Sequence, residues 1–298
     1  MSKVKIYCTS TGALEFGPDR YKDLGIGIIR VHMTFKGKEY LEGPELDPVK
    51  FYDDLENLEN PRNNLPKTSV PSPGEVMEHF DKAIEEGYEE LIVFSISTGL
   101  GGTHAIISQV AKEYEGRLKI HVIDTKTAGF LEGIHAVRAK EMLDNGASVE
   151  EILKESEWAI AHQRFFGVVG NLDFLIYNGR LKGAKAFMGQ LFKICPVLRM
   201  DEEGHIVPLE SVRTQKKSLN RMCEYLKEAI GDRSPEDYVL FHIHTGPNLL
   251  KMLCDIEVAH DIKVNHEDMI MTPVSGCHNG PWLAGYSLYL KRRPDEEL

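Results

Sequence analysis

The chain has 298 residues, with 35 Lys and Arg against 46 Asp and Glu, and a formal charge of −11. Its 42% hydrophobic and 27% charged residues match an ordinary globular protein and exclude long disorder, collagen-like repeats and low-complexity scaffolds. An acidic chain disfavours nonspecific nucleic-acid binding, which needs a basic face against phosphates. No stretch reaches the roughly 18 uninterrupted apolar residues of a membrane span. Met1–Lys5 leads into only a short apolar run rather than a signal-peptide core, so a cytoplasmic location is expected. The five cysteines, Cys8, Cys195, Cys223, Cys254 and Cys277, are scattered without a CxxC pair. Buried reduced thiols are expected, not a disulfide framework or a zinc ribbon.

In chain order, Val4–Cys8 reads as a strand and ends in the hydroxyl run Thr9-Ser10-Thr11, which is either a ligand-facing loop or an ordinary turn. A second strand is expected over Gly27–Thr34. Thr68-Ser69-Val70-Pro71-Ser72-Pro73 is held extended by its prolines. Ser72, Pro73 and Glu75 then form a capping box, with Val76, Phe80, Ala83 and Ile84 as the buried stripe of the helix. Leu91–Ser97 is a strand that feeds a Gly-rich turn and a helix over Ala105–Tyr114, followed by a strand over Lys119–Asp124. Asn145-Gly146 closes a helix, and Ser148 with Glu151 opens another through Ile152, Trp158 and Ile160. Further strands are expected at Phe165–Val169, Pro196–Met200, Ile206–Val212, Tyr238–His244 and Met269–Pro273, with an apolar helix over Trp282–Leu290 and a frayed tail from Pro294. This alternation predicts an α/β fold on largely parallel sheets flanked by helices. The change of element near Ala161–Arg164 divides the chain into an N-terminal α/β domain, 1–162, and a C-terminal α/β domain, 163–298.

The turn Ser97-Thr98-Gly99-Leu100-Gly101-Gly102-Thr103 is the segment best suited to chemistry. A helix start at the carboxyl end of a parallel strand offers free amides and a positive dipole end, and Ser97 or Thr98 adds a hydroxyl. The plainer alternative is a tight turn whose hydroxyls cap the helix. It is neither GxGxxG nor a Walker loop, so nucleotide binding is not indicated. Thr68 and Ser69 have no local capping duty and could face the same anion. Arg180 and Arg213 stand in turns, where planar guanidinium suits carboxylate or phosphate, although single surface arginines are commonly just solvated. His278 lies in Gly276-Cys277-His278-Asn279-Gly280, able to reach a ligand. His242 and His244 share a strand face but lack a third ligand, so core or hydrogen-bonded histidines are expected and no metal site. The apolar helices Ala184–Ile194 and Leu249–Cys254, with Met252, are suited either to line a tunnel or simply to pack a core.

Taken together and in this order, these segments resemble the DegV family, bacterial fatty-acid-binding proteins that act as acyl-binding subunits of fatty acid kinase. The carriers are Thr9-Ser10-Thr11, Thr68 to Pro73, Ser97 to Thr103, Gly179-Arg180-Leu181 to Pro196-Val197-Leu198, Val212-Arg213-Thr214, and His278-Asn279-Gly280-Pro281. The resemblance implies two α/β domains with the ligand carboxylate between them and the acyl chain buried in the second. It assigns the carboxylate to Thr68, Ser69, Ser97 and Thr98, and acyl-phosphate formation or kinase docking to Arg180, Arg213 and His278. It implies a long-chain fatty acid as ligand and an ATP-dependent kinase subunit as partner, with no cofactor, no catalytic residue of its own and at most transient membrane-surface contact. Two departures stand out: the family's Thr-Asp-Ser-Thr loop has Thr9 at the aspartate position, and Pro281-Trp282 replaces small residues. A lipid carrier or sensor without kinase coupling is therefore the second reading. A hydrolase or transferase using Ser97 as nucleophile and His278 as base is a third, without a G-x-S-x-G elbow to support it. Energetically, burying a long acyl chain at about 0.8 kcal/mol per methylene supplies on the order of 10 kcal/mol, provided donors meet the desolvated carboxylate.

Overall fold

The computed structural model describes residues 3–59, 64–183, 194–262 and 266–297. From the N-terminus, β1 (Val4–Thr9) and β2 (Gly27–Ile29) are followed by β3 (His32–Phe35) and β4 (Lys38–Leu41). β5 (Lys67–Ser69), β6 (Glu90–Ser95) and β7 (Lys119–Asp124) come next, with helices Pro48–Glu56, Pro73–Glu85 and Thr103–Glu113 between them. Helices Phe130–Asp144 and Val149–His162 precede β8 (Arg164–Val169) and the short helix Asp173–Tyr177. β9 (Val197–Met200), β10 (Ile206–Glu210), β11 (Tyr238–His244), β12 (His266–Ile270) and β13 (Leu283–Leu290) complete the strands, interleaved with helices Gln215–Ile230, Pro247–Ala259 and Pro273–Asn279.

Three sheets result. The first, in the order β2-β1-β6-β7, is parallel throughout. Alternation along its central strands sorts side chains onto two faces. Tyr7, Leu91 and Val93 pack with Val76, Phe80, Ile107 and Val110 on one side, while Ile6, Cys8, Ile92 and Phe94 join a larger core on the other. Both helix starts read from sequence are present: Ser72 Oγ accepts from Glu75 N at 3.2 Å, and Ser148 Oγ from Glu151 N at 3.3 Å, with each glutamate returning to its cap amide. A small antiparallel sheet, β4-β3-β5, positions Thr68 opposite Met33.

The second large sheet, β10-β9-β8-β13-β11-β12, departs from the parallel expectation. Only β11 and β12 run parallel; β13 lies between β8 and β11 and opposes both. The segment expected as the helix Trp282–Leu290 is this central strand. A short, continuous apolar run does not distinguish a buried helix from a strand buried on both faces, and every residue from Leu283 to Leu290 is buried. Gly285 fits the strand for a steric reason, since a Cβ there would lie 2.5 Å from the Phe166 carbonyl oxygen. The expected strand Gly27–Thr34 is likewise two strands in two sheets, and Met269–Pro273 is displaced toward the N-terminus, leaving Pro273 to start a helix.

The larger core ignores the sequence midpoint. Helix Phe130–Asp144 packs on β1, β6 and β13, and the Phe130 and Phe241 rings lie 4.8 Å apart. Tyr52 donates to the Met271 carbonyl at 3.1 Å. Among the described residues, no helix is long and apolar enough to cross a membrane.

Candidate functional site

A cavity with about 940 Å³ of atom-free space, counted to its open mouth, lies where elements of both halves meet. Val31, Ile96 and Leu100 contribute from the first half; Phe165, Met200, Ile243 and Met271 contribute from the second. Thr68, Ser69, Arg180 and His278, far apart in sequence, join this lining.

Each polar group is placed by local structure. β5 presents Thr68 and leaves Ser69 exposed. Thr272 caps helix Pro273–Asn279, Pro273 occupies its first turn, and Gly280 at φ 78° ends it, so His278 falls in the last turn. Thr68 Oγ1 and His278 Nε2 lie 3.0 Å apart. Burial, reinforced by the Arg180 cation, lowers the imidazole to about 3, so it is neutral at physiological pH. A neutral ring donating through Nε2–H to Thr68 leaves the threonine proton free for an acceptor in the cavity.

Gly179, at φ 68°, ends the short helix Asp173–Tyr177 and turns Arg180 inward. The guanidinium donates to the Asn178 carbonyl at 2.6 Å, while Asn178 Nδ2 donates to the Cys277 carbonyl at 2.8 Å, tying the two turns together. Arg180 Nε and His278 Nδ1 are buried without a protein partner. Burial also lowers the Arg180 pKa. A buried donor without an acceptor is costly, and an anion in the cavity would relieve that cost. Gly101, Gly102 and Thr103 bring a helix N-terminus to the same lining; Gly102 provides no side-chain cap, and a Cβ at Gly101 would meet nothing within 4 Å. Its free amides and dipole suit a carboxylate.

Two expected ligands point elsewhere. Ser97 is fully buried; its hydroxyl donates to the Gly204 carbonyl at 2.8 Å and accepts from Gly99 N at 3.0 Å. Thr98 bonds Asp124 through both hydroxyl (2.6 Å) and amide (3.2 Å). Neither lines the cavity, because the turn after β6 uses both hydroxyls to fix its own shape; the glycines and amides that follow them face the ligand space. This arrangement also separates the suggested nucleophile from its base: Ser97 bonds Gly204, and His278 bonds Thr68. Arg213 is exposed, outside the cavity lining, on the turn before helix Gln215–Ile230. Leu249–Cys254 is helical, but neither Leu249 nor Met252 lines the cavity; both pack with the larger core. Ala184–Lys193, most of the other expected tunnel helix, lies outside the described residues.

Behind the cavity are two buried carboxyls that sequence reading missed. Glu132 accepts from Thr11 Oγ1 at 2.8 Å and also bonds Thr9, and Thr11 itself lines the cavity. Glu42 accepts from Ser10 Oγ at 2.8 Å and from Val274 N at 3.3 Å. Burial raises Glu132 well above the ordinary carboxyl range and Glu42 to about 7, with the hydrogen bonds opposing the shift in both. Thr9, noted above as a departure from the family pattern, directs its hydroxyl to Glu132, which reaches the loop from the facing helix. The available signal was a carboxyl inside the mostly apolar Phe130–Val137 run, all of which is buried.

The parallel sheet, its largely antiparallel companion and the cavity lined from both halves define a mixed α/β protein. The chain belongs to the DegV family: the family model described as "Uncharacterised protein, DegV family" matches residues 3–291. A DegV domain-containing protein of Listeria monocytogenes is 30% identical over 285 residues, covering 94% of this chain and 97% of the relative. One from Halalkalibacterium halodurans is 30% identical over 295 residues, covering 98% and 100%. Among solved structures, the fatty acid binding DegV family protein of Streptococcus agalactiae superposes with a TM-score of 0.88 at 27% identity, covering 98% of this chain and 100% of the other. DegV of Bacillus subtilis, a fatty acid binding protein, gives 0.83 at 26% identity, with the same coverage.

Proposed function

We propose that this protein binds a long-chain fatty acid, with the acyl chain along the apolar lining and the carboxylate at Thr68, Ser69, Arg180 and the start of helix Thr103–Glu113. His278 orients Thr68 rather than meeting the carboxylate as a cation. The observation that carries the reading is the pairing of an apolar cavity with a buried guanidinium donor, Arg180 Nε, that lacks a protein partner. The fatty-acid-binding relatives of the same fold support it. The division at residues 162/163 belongs to this proposal: each half supplies one wall. Native mass spectrometry followed by lipid extraction tests it. A stoichiometric fatty acid supports the reading; a protein that arrives empty and takes up neither palmitate nor oleate refutes it.

The second part of the proposal is presentation of the carboxylate to an ATP-dependent kinase subunit that forms the acyl phosphate, in a cytoplasmic setting. Arg213, exposed and apart from the cavity, suits docking. With the kinase subunit and ATP supplied, Arg213→Ala is expected to slow acyl-phosphate formation while leaving lipid occupancy intact. If the wild-type protein, loaded with lipid, yields no acyl phosphate with any such subunit, the carrier reading takes its place.

A further inference from the structure

His242 carries no duty in the cavity; the structure surrounds it with metal-ligating groups that its strand neighbour His244 could not foretell. In the parallel pair β11/β12, His242 sits opposite Asp268, and His266 lies two residues before Asp268 on the same face. Helix Pro247–Ala259 covers that face with Cys254 and Glu257, three residues apart and so neighbours on its surface. One ligand atom from each of His242, Cys254 and His266 falls within 4.8 Å of the others. Asp268 Oδ1 lies 3.0 Å from His242 Nδ1 and 3.7 Å from His266 Nε2. Glu257, 4% exposed, accepts from His242 Nε2 at 2.7 Å.

We propose that His242, His266, Cys254 and Asp268 bind a divalent transition metal of the zinc type, with Glu257 orienting His242. Two imidazoles, a thiolate and a carboxylate form a four-donor set suited to that borderline-soft ion and unlike the all-oxygen shells of calcium or magnesium. With the Nε2 proton donated to Glu257, Nδ1, 3.0 Å from Asp268 Oδ1, is the nitrogen that would take the metal, the arrangement in which a carboxylate orients a metal-bound histidine. Charge favours it as well: Glu257 and Asp268 flank one buried imidazole, and a dication balances them. Ile243, adjacent to His242 and on the opposite face of β11, lines the cavity, so an ion here would fasten a strand of the lipid-binding wall to its edge neighbour.

The test uses the full-length chain without a histidine tag, stripped with chelator, then titrated with Zn²⁺ against a chromophoric chelator and with Co²⁺ by absorption. The expected result is one ion per chain and a cobalt spectrum with a thiolate charge-transfer band that Cys254→Ser abolishes. His266→Asn, at an exposed strand edge, is expected to weaken Zn²⁺ by more than about tenfold, and Glu257→Gln by about 10- to 100-fold. Circular dichroism and fatty-acid uptake of Cys254→Ser and His266→Asn verify that the fold survives. Failure of the wild-type chain to compete with the chelator overturns the proposal and leaves a histidine–carboxylate network; stoichiometric binding unchanged in both variants overturns it by placing the ion elsewhere.

Discussion

Replacing Thr68 with valine removes one hydroxyl while keeping the β-branched shape that suits β5. In the wild-type chain that hydroxyl lies 3.0 Å from His278 Nε2, and with the neutral ring as donor its own proton is free for the ligand carboxylate. A hydrogen bond to a charged group contributes about 1.5–3 kcal/mol. At about 1.4 kcal/mol per tenfold, Thr68→Val should weaken fatty acid binding roughly 10- to 100-fold. The acyl-chain contacts are untouched, so the loss should depend on the head group. The assay is displacement of a fluorescent fatty acid by palmitate and, separately, by the alcohol of the same chain length, whose neutral hydrogen bond is worth only about 0.5–1.5 kcal/mol. The alcohol should lose less than about tenfold. Equal losses for acid and alcohol, or none for either, would refute the placement of the carboxylate at Thr68.

Ser97→Ala, by contrast, should leave palmitate affinity within about threefold of wild type yet lower stability by about 1–2 kcal/mol in urea unfolding, since the lost hydroxyl serves Gly204 and Gly99; a large drop in affinity would restore Ser97 as a direct ligand. Gly285→Ala should cost more than about 2 kcal/mol, because its Cβ would press on the Phe166 backbone within the central strand pair; a near-neutral thermal shift would contradict the strand register. Glu42 titrates at about 7 in the fold against 4.5 for the free group, so the folded state binds the extra proton. Its contribution is fully present below about pH 4.5 and is lost as pH rises through about 7, amounting to about 3 kcal/mol. Glu42→Gln should therefore flatten the fall in stability across that window; an unchanged pH profile in chemical denaturation would show that Glu42 ionises freely.

Local signals carried much of the architecture. The capping boxes at Ser72 and Ser148 and the strands Lys119–Asp124 and Tyr238–His244 could be read because hydrogen-bond partners or β-branched alternation lie within a few residues. β13 could not, because its apolar run is explained only by β8 and β11, more than 35 residues away on either side of it in the sheet. The site divides along the same line. Of the cavity-lining residues, Thr68 and Ser69 were legible as hydroxyls without a local job, and Arg180 and His278 through their turn settings and the family resemblance. Ser97 and Thr98 were not, because their partners, Gly204 in the turn between β9 and β10 and Asp124 at the end of β7, come from elsewhere in the chain. Glu42, Glu132 and the groups around His242 were hidden for the same reason: a buried carboxyl or a metal-ligand set is defined by what faces it.

The shared core also constrains how a lipid enters and leaves. Phe130 against Phe241, His135 against Tyr289 at 5.1 Å, and the Tyr52 bond to Met271 each join an early segment to a late one. Parting the halves like a clamshell would expose Phe130, Leu131 and Ile134 at about 1.5–3 kcal/mol apiece, a toll comparable to a small domain's whole stability. If the cavity holds a lipid as proposed, this shared core makes exchange by local movement at the cavity opening cheaper than separation of the halves, and a partner acting on bound lipid would engage that opening and not the seam.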